Sequence, residues 1–150
     1  MHKSIITTCI GLPRRFRRYH AAVYSITQSL ADFMTEHARG ILQNTTTHYL
    51  LRLPGEDQLI QELFHLTDSA MEKYRKLSSR KGEYSEMLTW IREQQGPKGD
   101  VVIVEPTPLE YWAFTTQAQE MALRQEIAQR KGNLLAAIEE LAKSYPRGLR

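Results

Sequence analysis

The feature that most constrains the fold is an alternation of two hydrophobic patterns in the first half of the chain. Residues 20–27 are β-branched, aromatic or small, which is typical of a buried strand. Residues 29–40 then show helical spacing, residues 45–53 return to a strand-like composition, and residues 56–77 are helical again. This order predicts an α/β fold with a mainly parallel sheet, in which residues 20–27 and 45–53 are adjacent parallel strands.

The second half of the chain has a different pattern. Residues 84–91 and 100–105 are strand-like and are joined by a loop that contains Gly and Pro, so we expect an antiparallel ribbon at the edge of the sheet. Two amphipathic helices separated by Gly132 are expected within residues 117–141. Residues 144–150 follow the last helix and are expected to form a flexible tail.

Composition and charge limit the class of protein. The 150 residues contain no apolar run near the roughly 20 residues of a membrane span, and the single Cys9 excludes an internal disulfide, so a cytoplasmic location is expected. The net charge of +3 is unevenly spread, because residues 1–31 hold five basic residues and no acidic one. Four of these stand together: Arg14, Arg15, Arg17 and Arg18. Such a cluster could contact phosphate, or it could be a solvated helix face.

The sequence lacks the motifs of an independent nucleotide hydrolase or a metal site. A phosphate-binding loop requires Gly-Lys followed by Ser or Thr, and the chain contains no Gly-Lys pair. The five histidines are separated by 18, 17, 11 and 17 residues, which fits no short metal-ligand spacing. Gln28 follows the first predicted strand, where ligands of α/β sheets bind, and it could contact a γ-phosphate or orient a water. The alternative is an ordinary strand end.

Several segments occur in the order that they have in one known family. The run over residues 14–33 is Arg-Arg-Phe-Arg-Arg-Tyr-His-Ala-Ala-Val-Tyr-Ser-Ile-Thr-Gln-Ser-Leu-Ala-Asp-Phe. It resembles the end of the ATPase domain in TraC-type conjugation proteins, the traffic ATPases of type IV secretion, in which an Arg-rich helix leads into a strand that closes with Thr-Gln. Residues 82–86, Gly-Glu-Tyr-Ser-Glu, resemble the family's Gly-x-Tyr-Ser-Glu segment. The resemblance covers residues 14–143, and residues 1–13 are divergent.

The resemblance implies part of a RecA-like domain of the P-loop NTPase superfamily that oligomerises and powers pilus assembly and DNA transfer at the inner membrane. Gln28 would occupy the γ-phosphate-sensing position, and Arg17 and Arg18 would lie on the basic helix that faces nucleotide or a subunit interface. The family's Walker A loop and Walker B acid are missing. The chain alone would therefore hydrolyse no ATP and bind no cofactor, and ATP and Mg²⁺ would be used only in a complete or complemented ATPase.

Three interpretations stay open from the sequence. The chain could be a non-catalytic C-terminal fragment of the ATPase, whose partners are type IV secretion components, full-length ATPase subunits or further copies of itself. It could be a small nucleic-acid-binding module that uses the basic cluster of residues 14–18, which predicts salt-dependent binding of DNA. It could also be a regulatory partner of a full-length secretion ATPase.

Overall fold

The computed structural model describes residues 24–27, 29–34 and 36–149. A short 3₁₀ helix, Leu30–Phe33, precedes the regular elements. The helices of these residues are α1 (Glu36–Asn44), α2 (Asp57–Phe64), α3 (Asp68–Arg75), α4 (Pro108–Phe114), α5 (Ala118–Lys131) and α6 (Leu134–Ser144). The strands are β1 (Thr47–Leu50), β2 (Ser79–Arg80), β3 (Tyr84–Glu93) and β4 (Gly96–Val104). In this part of the chain, no helix has the length and apolar character needed to cross a membrane.

The chain divides into two compact units. The first contains the described residues up to Arg75 together with Leu88–Asp100, and the second contains Lys76–Met87 together with the described residues from Val101 onwards. The division passes through β3 and β4, so each of these strands contributes residues to both units.

The strands form an antiparallel sheet around β3. Strand β1 pairs with β3 with Leu50 opposite Leu88, and β2 pairs with β3 with Arg80 opposite Tyr84, both in the antiparallel sense. Strand β4 also pairs with β3 and follows it after two residues, an interval that suits only an antiparallel hairpin. The mixed α/β class, the antiparallel ribbon and the C-terminal helices are thus confirmed, whereas the mainly parallel sheet is wrong for the described part of the chain.

The expected pairing of residues 20–27 with residues 45–53 does not occur in the part that the structure describes. Residues 20–23 lie outside that part, and residues 24–27 form no strand, with Tyr24 81% and Ile26 95% exposed. The physical reason is that β1 has a better partner. Its two buried residues, His48 and Leu50, lie opposite the buried Trp90 and Leu88 of β3, so antiparallel pairing puts all four on one covered face.

In the first unit, α2 and α3 contribute to the core on that face. Trp90 Nε1 donates a hydrogen bond to the carbonyl of Phe64 at the end of α2 (3.0 Å), and the His48 ring lies edge-on to the Phe64 ring with centroids 5.0 Å apart. Tyr74 Oη of α3 accepts from the N–H of Leu53, which follows β1 (2.9 Å). The largest side chains buried in this unit are Ile60, Phe64, Met71, Tyr74, Leu88 and Trp90.

In the second unit, three helices enclose a separate core. Helix α4 begins with a capping box, in which Thr107 Oγ1 accepts from the N–H of Glu110 and the Glu110 carboxylate accepts from the N–H of Thr107. Helix α5 ends at Gly132, as predicted, and Asn133 caps α6 by accepting from the N–H of Leu135. The buried cluster consists of Trp112, Ile127, Ala137, Ile138, Leu141 and Ala142.

Candidate functional site

The three site residues predicted from the sequence, Arg17, Arg18 and Gln28, all lie outside the residues that the structure describes. Next to them, Thr27 Oγ1 donates to the carbonyl of Ser29 (3.0 Å) and accepts from its N–H (3.1 Å), which is a local turn around position 28. The nucleotide-sensing role of Gln28 and the interface role of the two arginines therefore stay predictions.

The most highly organised polar site of the described residues is built around the carboxylate of Glu120 in the second unit. This side chain lies in the first turn of α5 and is only 1% exposed. Its oxygens accept from Lys81 Nζ (2.8 Å), from Tyr111 Oη (2.9 Å), from Thr115 Oγ1 and from the N–H of Leu149 (2.9 Å). A buried carboxylate with this many donors is fully compensated for the loss of water.

The donors fix the charge state of the site. Burial alone would raise the pKa of Glu120, but the hydrogen bonds from Lys81, Thr115, Tyr111 and the Leu149 N–H lower this pKa to about 2. The hydrogen bond to Glu120 raises the pKa of Lys81. Burial, followed by the hydrogen bond to the Glu120 carboxylate, raises the pKa of Tyr111. None of these groups is poised to exchange a proton near neutral pH, so the site suits binding rather than acid–base catalysis.

The partner held by this site is a stretch of the chain's own backbone, Tyr145–Leu149. Trp112 Nε1 donates to the carbonyl of Tyr145 (2.7 Å), and Arg147 pairs with Glu83 (2.7 Å). Lys81 Nζ lies 3.2 Å from the carbonyl oxygen of Leu149, which it reaches together with Glu120. These contacts argue against the flexible tail expected for residues 144–150, although flexibility itself is a matter for solution measurement.

The Gly-Glu-Tyr-Ser-Glu segment lies beside this backbone stretch and forms the turn from β2 into β3. Gly82 has a φ of 70°, and a Cβ at this position would overlap the carbonyl oxygen of Arg147. Only glycine satisfies both conditions. The Glu86 carboxylate accepts from the N–H of Ser78 (2.8 Å) and from its Oγ (3.0 Å), and the Ser78 Oγ also lies 3.2 Å from Tyr84 Oη. Each of these residue types therefore has a structural purpose.

Sequence reasoning missed the Glu120 site, although one signal was present. Glu120, Leu123 and Ile127 recur at helical spacing on α5, so the glutamate falls on the same face as the apolar residues that were assigned to the core. A charged residue on an apolar face indicates a buried, paired carboxylate. Its donors could not be identified in advance, because Lys81 and Leu149 are 39 and 29 residues away in the chain.

The first unit contains a buried histidine and a half-open cavity. His48 is 6% exposed, and burial, aided by the positive charge of Arg92, lowers its pKa to about 4, against an opposing hydrogen bond with the backbone of Thr45. The cavity has a volume of about 270 Å³, just below the range of ordinary ligand pockets. Its lining combines Leu42, Leu59 and Leu63 with Glu62, His65 and Arg92.

Metal ligation and relationship to known proteins were also considered. Among the described residues, no three His, Cys, Asp or Glu side chains come together as a group that could hold a metal ion. Comparison of the chain with models of known families, with curated proteins and with solved structures finds no match. The resemblance to TraC-type ATPases therefore depends on the quoted sequence segments.

Proposed function

We propose that the chain is the C-terminal part of a TraC-type conjugative transfer ATPase, a non-catalytic portion of a type IV secretion motor. The observation that carries the proposal is the order of the family-like segments over residues 14–143, from the Arg-rich run through Thr27-Gln28 to residues 82–86. In this proposal the parallel RecA-like strands belong to the preceding, missing part of the motor. The antiparallel strands described above would lie at the edge of that sheet.

The geometry of residues 82–86 supports the proposal. A short motif has little weight when any residue would serve at its positions. Here Gly82 is required by its φ and by the neighbouring Arg147 carbonyl, and Glu86 is required to accept the Ser78 hydrogen bonds. A match at positions with such specific demands is less readily produced by chance.

The proposed role is to complete a nucleotide site in trans. Nothing in the sequence can wrap the β- and γ-phosphates or hold Mg²⁺, because the Gly-Lys-Ser/Thr order is missing. Gln28 would sense the γ-phosphate of a nucleotide bound by another subunit, and Arg17 or Arg18 would neutralise its charge. Such a protein acts in the cytoplasm at the inner membrane, with other ATPase subunits and secretion components as partners.

The test is a complementation of ATP hydrolysis. A TraC-type ATPase subunit that ends after its Walker B strand is assayed alone, together with this full chain, and in parallel with the chain alone. We expect phosphate release only from the mixture. Substituting Gln28→Ala, or Arg17→Ala with Arg18→Ala, should reduce that release by about a hundredfold, as loss of a group that stabilises the transition state does. The matched control is Gln94→Ala in the exposed β3–β4 turn, which should leave it unchanged.

Two outcomes would contradict the proposal. One is ATP hydrolysis by the chain alone that disappears with Gln28→Ala, because the chain would then contain its own site. The other is tight binding of duplex DNA without any ATPase subunit, with an affinity that falls steeply as salt is added. That result would favour the nucleic-acid-binding module based on residues 14–18.

A further inference from the structure

The contacts made by residues 145–149 have the form of peptide recognition. Two carbonyls and one N–H of this stretch are satisfied by side chains, namely those of Trp112, Lys81 and Glu120 (2.7, 3.2 and 2.9 Å). The Leu149 residue is thus bracketed, because its N–H meets the carboxylate while its carbonyl meets the ammonium group. Binding of main-chain groups by fixed side chains is how proteins hold an extended peptide of defined sequence. We call the side chains Lys81, Glu83, Tyr111, Trp112 and Glu120 the groove.

Two positions of the bound stretch are selected by residue type. Gly148 is buried with a φ of 81°, and a Cβ there would overlap both Tyr111 Oη and the Glu120 carboxylate. Only glycine fits, since neither neighbour can withdraw without losing its hydrogen bond. The preceding Arg147 places its guanidinium 2.7 Å from the Glu83 carboxylate. The groove therefore selects an Arg-Gly pair followed by a residue with a free N–H and carbonyl.

We propose that the groove is a docking site for an Arg-Gly-Leu segment, which the chain's own residues 145–149 fill in cis and the same segment of a second copy fills when they leave. This inference does not rest on the proposed function. Release is a local event, because the stretch follows the last turn of α6 and its ion pair with Glu83 lies at the surface. Its covalent attachment acts as a high effective concentration, so the cis arrangement prevails in dilute solution.

A binding experiment can open the groove without altering it. The Gly148→Ala variant should expel residues 145–149 while leaving all five groove side chains in place. The matched control is Gly132→Ala, because Gly132 also has a positive φ (67°) but has nothing within 4 Å of its missing Cβ. The probe is the fluorescent peptide Tyr-Pro-Arg-Gly-Leu-Arg, the sequence of residues 145–150, measured by anisotropy. We expect Gly148→Ala to bind it roughly tenfold or more tightly than the unaltered chain or Gly132→Ala, since no attached segment competes.

A second arm tests the source of the segment. The chain with Gly148→Ala offers an open groove, and the chain with Lys81→Gln and Glu83→Gln offers a segment that its own groove holds weakly. Sedimentation of the mixture should reveal a one-to-one complex, and each variant alone should be monomeric at the same concentration. Near-ultraviolet circular dichroism checks that each variant is folded. Should Gly148→Ala fail that check, Arg147→Ala, which removes only the surface ion pair with Glu83, replaces it.

The proposal is overturned by equal peptide affinity of the unaltered chain, Gly132→Ala and Gly148→Ala, because the groove would then not be the binding site. It is equally overturned if a peptide with Ala in place of Gly binds as tightly as the original. Absence of the mixed complex would remove the second copy as the source of the segment.

Discussion

The two units of this protein bury their ionisable groups in opposite ways. In the second unit Glu120 keeps its charge, because an ammonium group, two hydroxyls and a main-chain N–H point at its oxygens. In the first unit His48 is almost as deeply buried, but among the described residues its Nε2 has no hydrogen-bond partner. Donors therefore hold one group charged, and apolar surroundings hold the other neutral.

The difference shows what each unit asks of its buried polar group. The Glu120 carboxylate joins α5, the β2–β3 turn and residues 145–149, so several segments depend on it. His48 contributes an aromatic edge against Phe64 and could be replaced by an apolar ring of similar size. Removing Glu120 should accordingly be costly, and removing His48 should be nearly neutral at pH 7.

The largest effect is expected for Glu120→Ala. It leaves the Lys81 ammonium, two hydroxyls and the Leu149 N–H without their acceptor in a buried site, which should lower the free energy of unfolding by about 3–5 kcal/mol. Urea titration followed by circular dichroism measures the change. Lys143→Ala, an exposed position on α6, serves as the control and should have little effect. A loss below about 1 kcal/mol would mean that the site is not the structural centre of the second unit.

A smaller effect is expected from protonation of His48. Because its folded pKa of about 4 lies below the ordinary 6.5, the unfolded chain takes up the proton first as pH falls. Stability should therefore decrease between pH 6.5 and 4, by at most about 3 kcal/mol. Glu120 acts in a separate window, because its lowered pKa contributes stability that is lost only between about pH 4.5 and 2.

The measurement that separates the two is thermal unfolding of the protein and of His48→Phe from pH 7 to 4.5. The unaltered chain should lose stability over this range, and the variant should lose distinctly less. Identical pH dependence of both proteins would show that the histidine is hydrated rather than buried.

About 1 kcal/mol is expected for Thr107→Ala in the second unit. The substitution removes the acceptor for the N–H of Glu110 and with it one side of the capping box of α4. Thr107→Ser retains the hydroxyl and should behave like the unaltered protein. If both variants lose the same stability, the methyl group rather than the cap is responsible.

The smallest effect is expected for Lys98→Ala in the first unit. Its ammonium group lies 2.7 Å from the Glu93 carboxylate, but both side chains are well exposed, and such pairs contribute less than about 1 kcal/mol. Added salt should reduce even this difference in urea titrations. A loss comparable to that of Thr107→Ala would indicate that the β3–β4 turn depends on the ion pair.

The sequence predicted local structure better than pairing. The strand before Pro54, the ribbon and the C-terminal helices were predicted correctly, because each has its own period and its own terminating residue. Gly40 was expected to end a helix, but α1 continues through it to Asn44. A lone glycine costs a helix only about 1 kcal/mol, and tertiary context can override that.

The direction of the sheet and the Glu120 site were harder to predict. Parallel pairing was inferred from element order, but cross-strand contacts between β1 and β3 decide the register, and these join residues about 40 positions apart. The loop predicted at residues 95–99 is also shorter in the structure, since Gly96 has a φ of 113° and β4 begins there, with Pro97 inside the strand. Spatial proximity of this kind has no signature in a single sequence.

The chain contains two tryptophans, and the division into units gives one to each, Trp90 to the first and Trp112 to the second. Both indoles are buried, and both donate through Nε1 to a main-chain carbonyl. The protein thus contains a natural fluorophore for each half. Trp90→Phe would leave an emission that reports on the second unit alone, and Trp112→Phe would leave one that reports on the first. Exposure to water shifts indole emission to longer wavelength, so the order in which the two halves open becomes visible as two separate changes of colour.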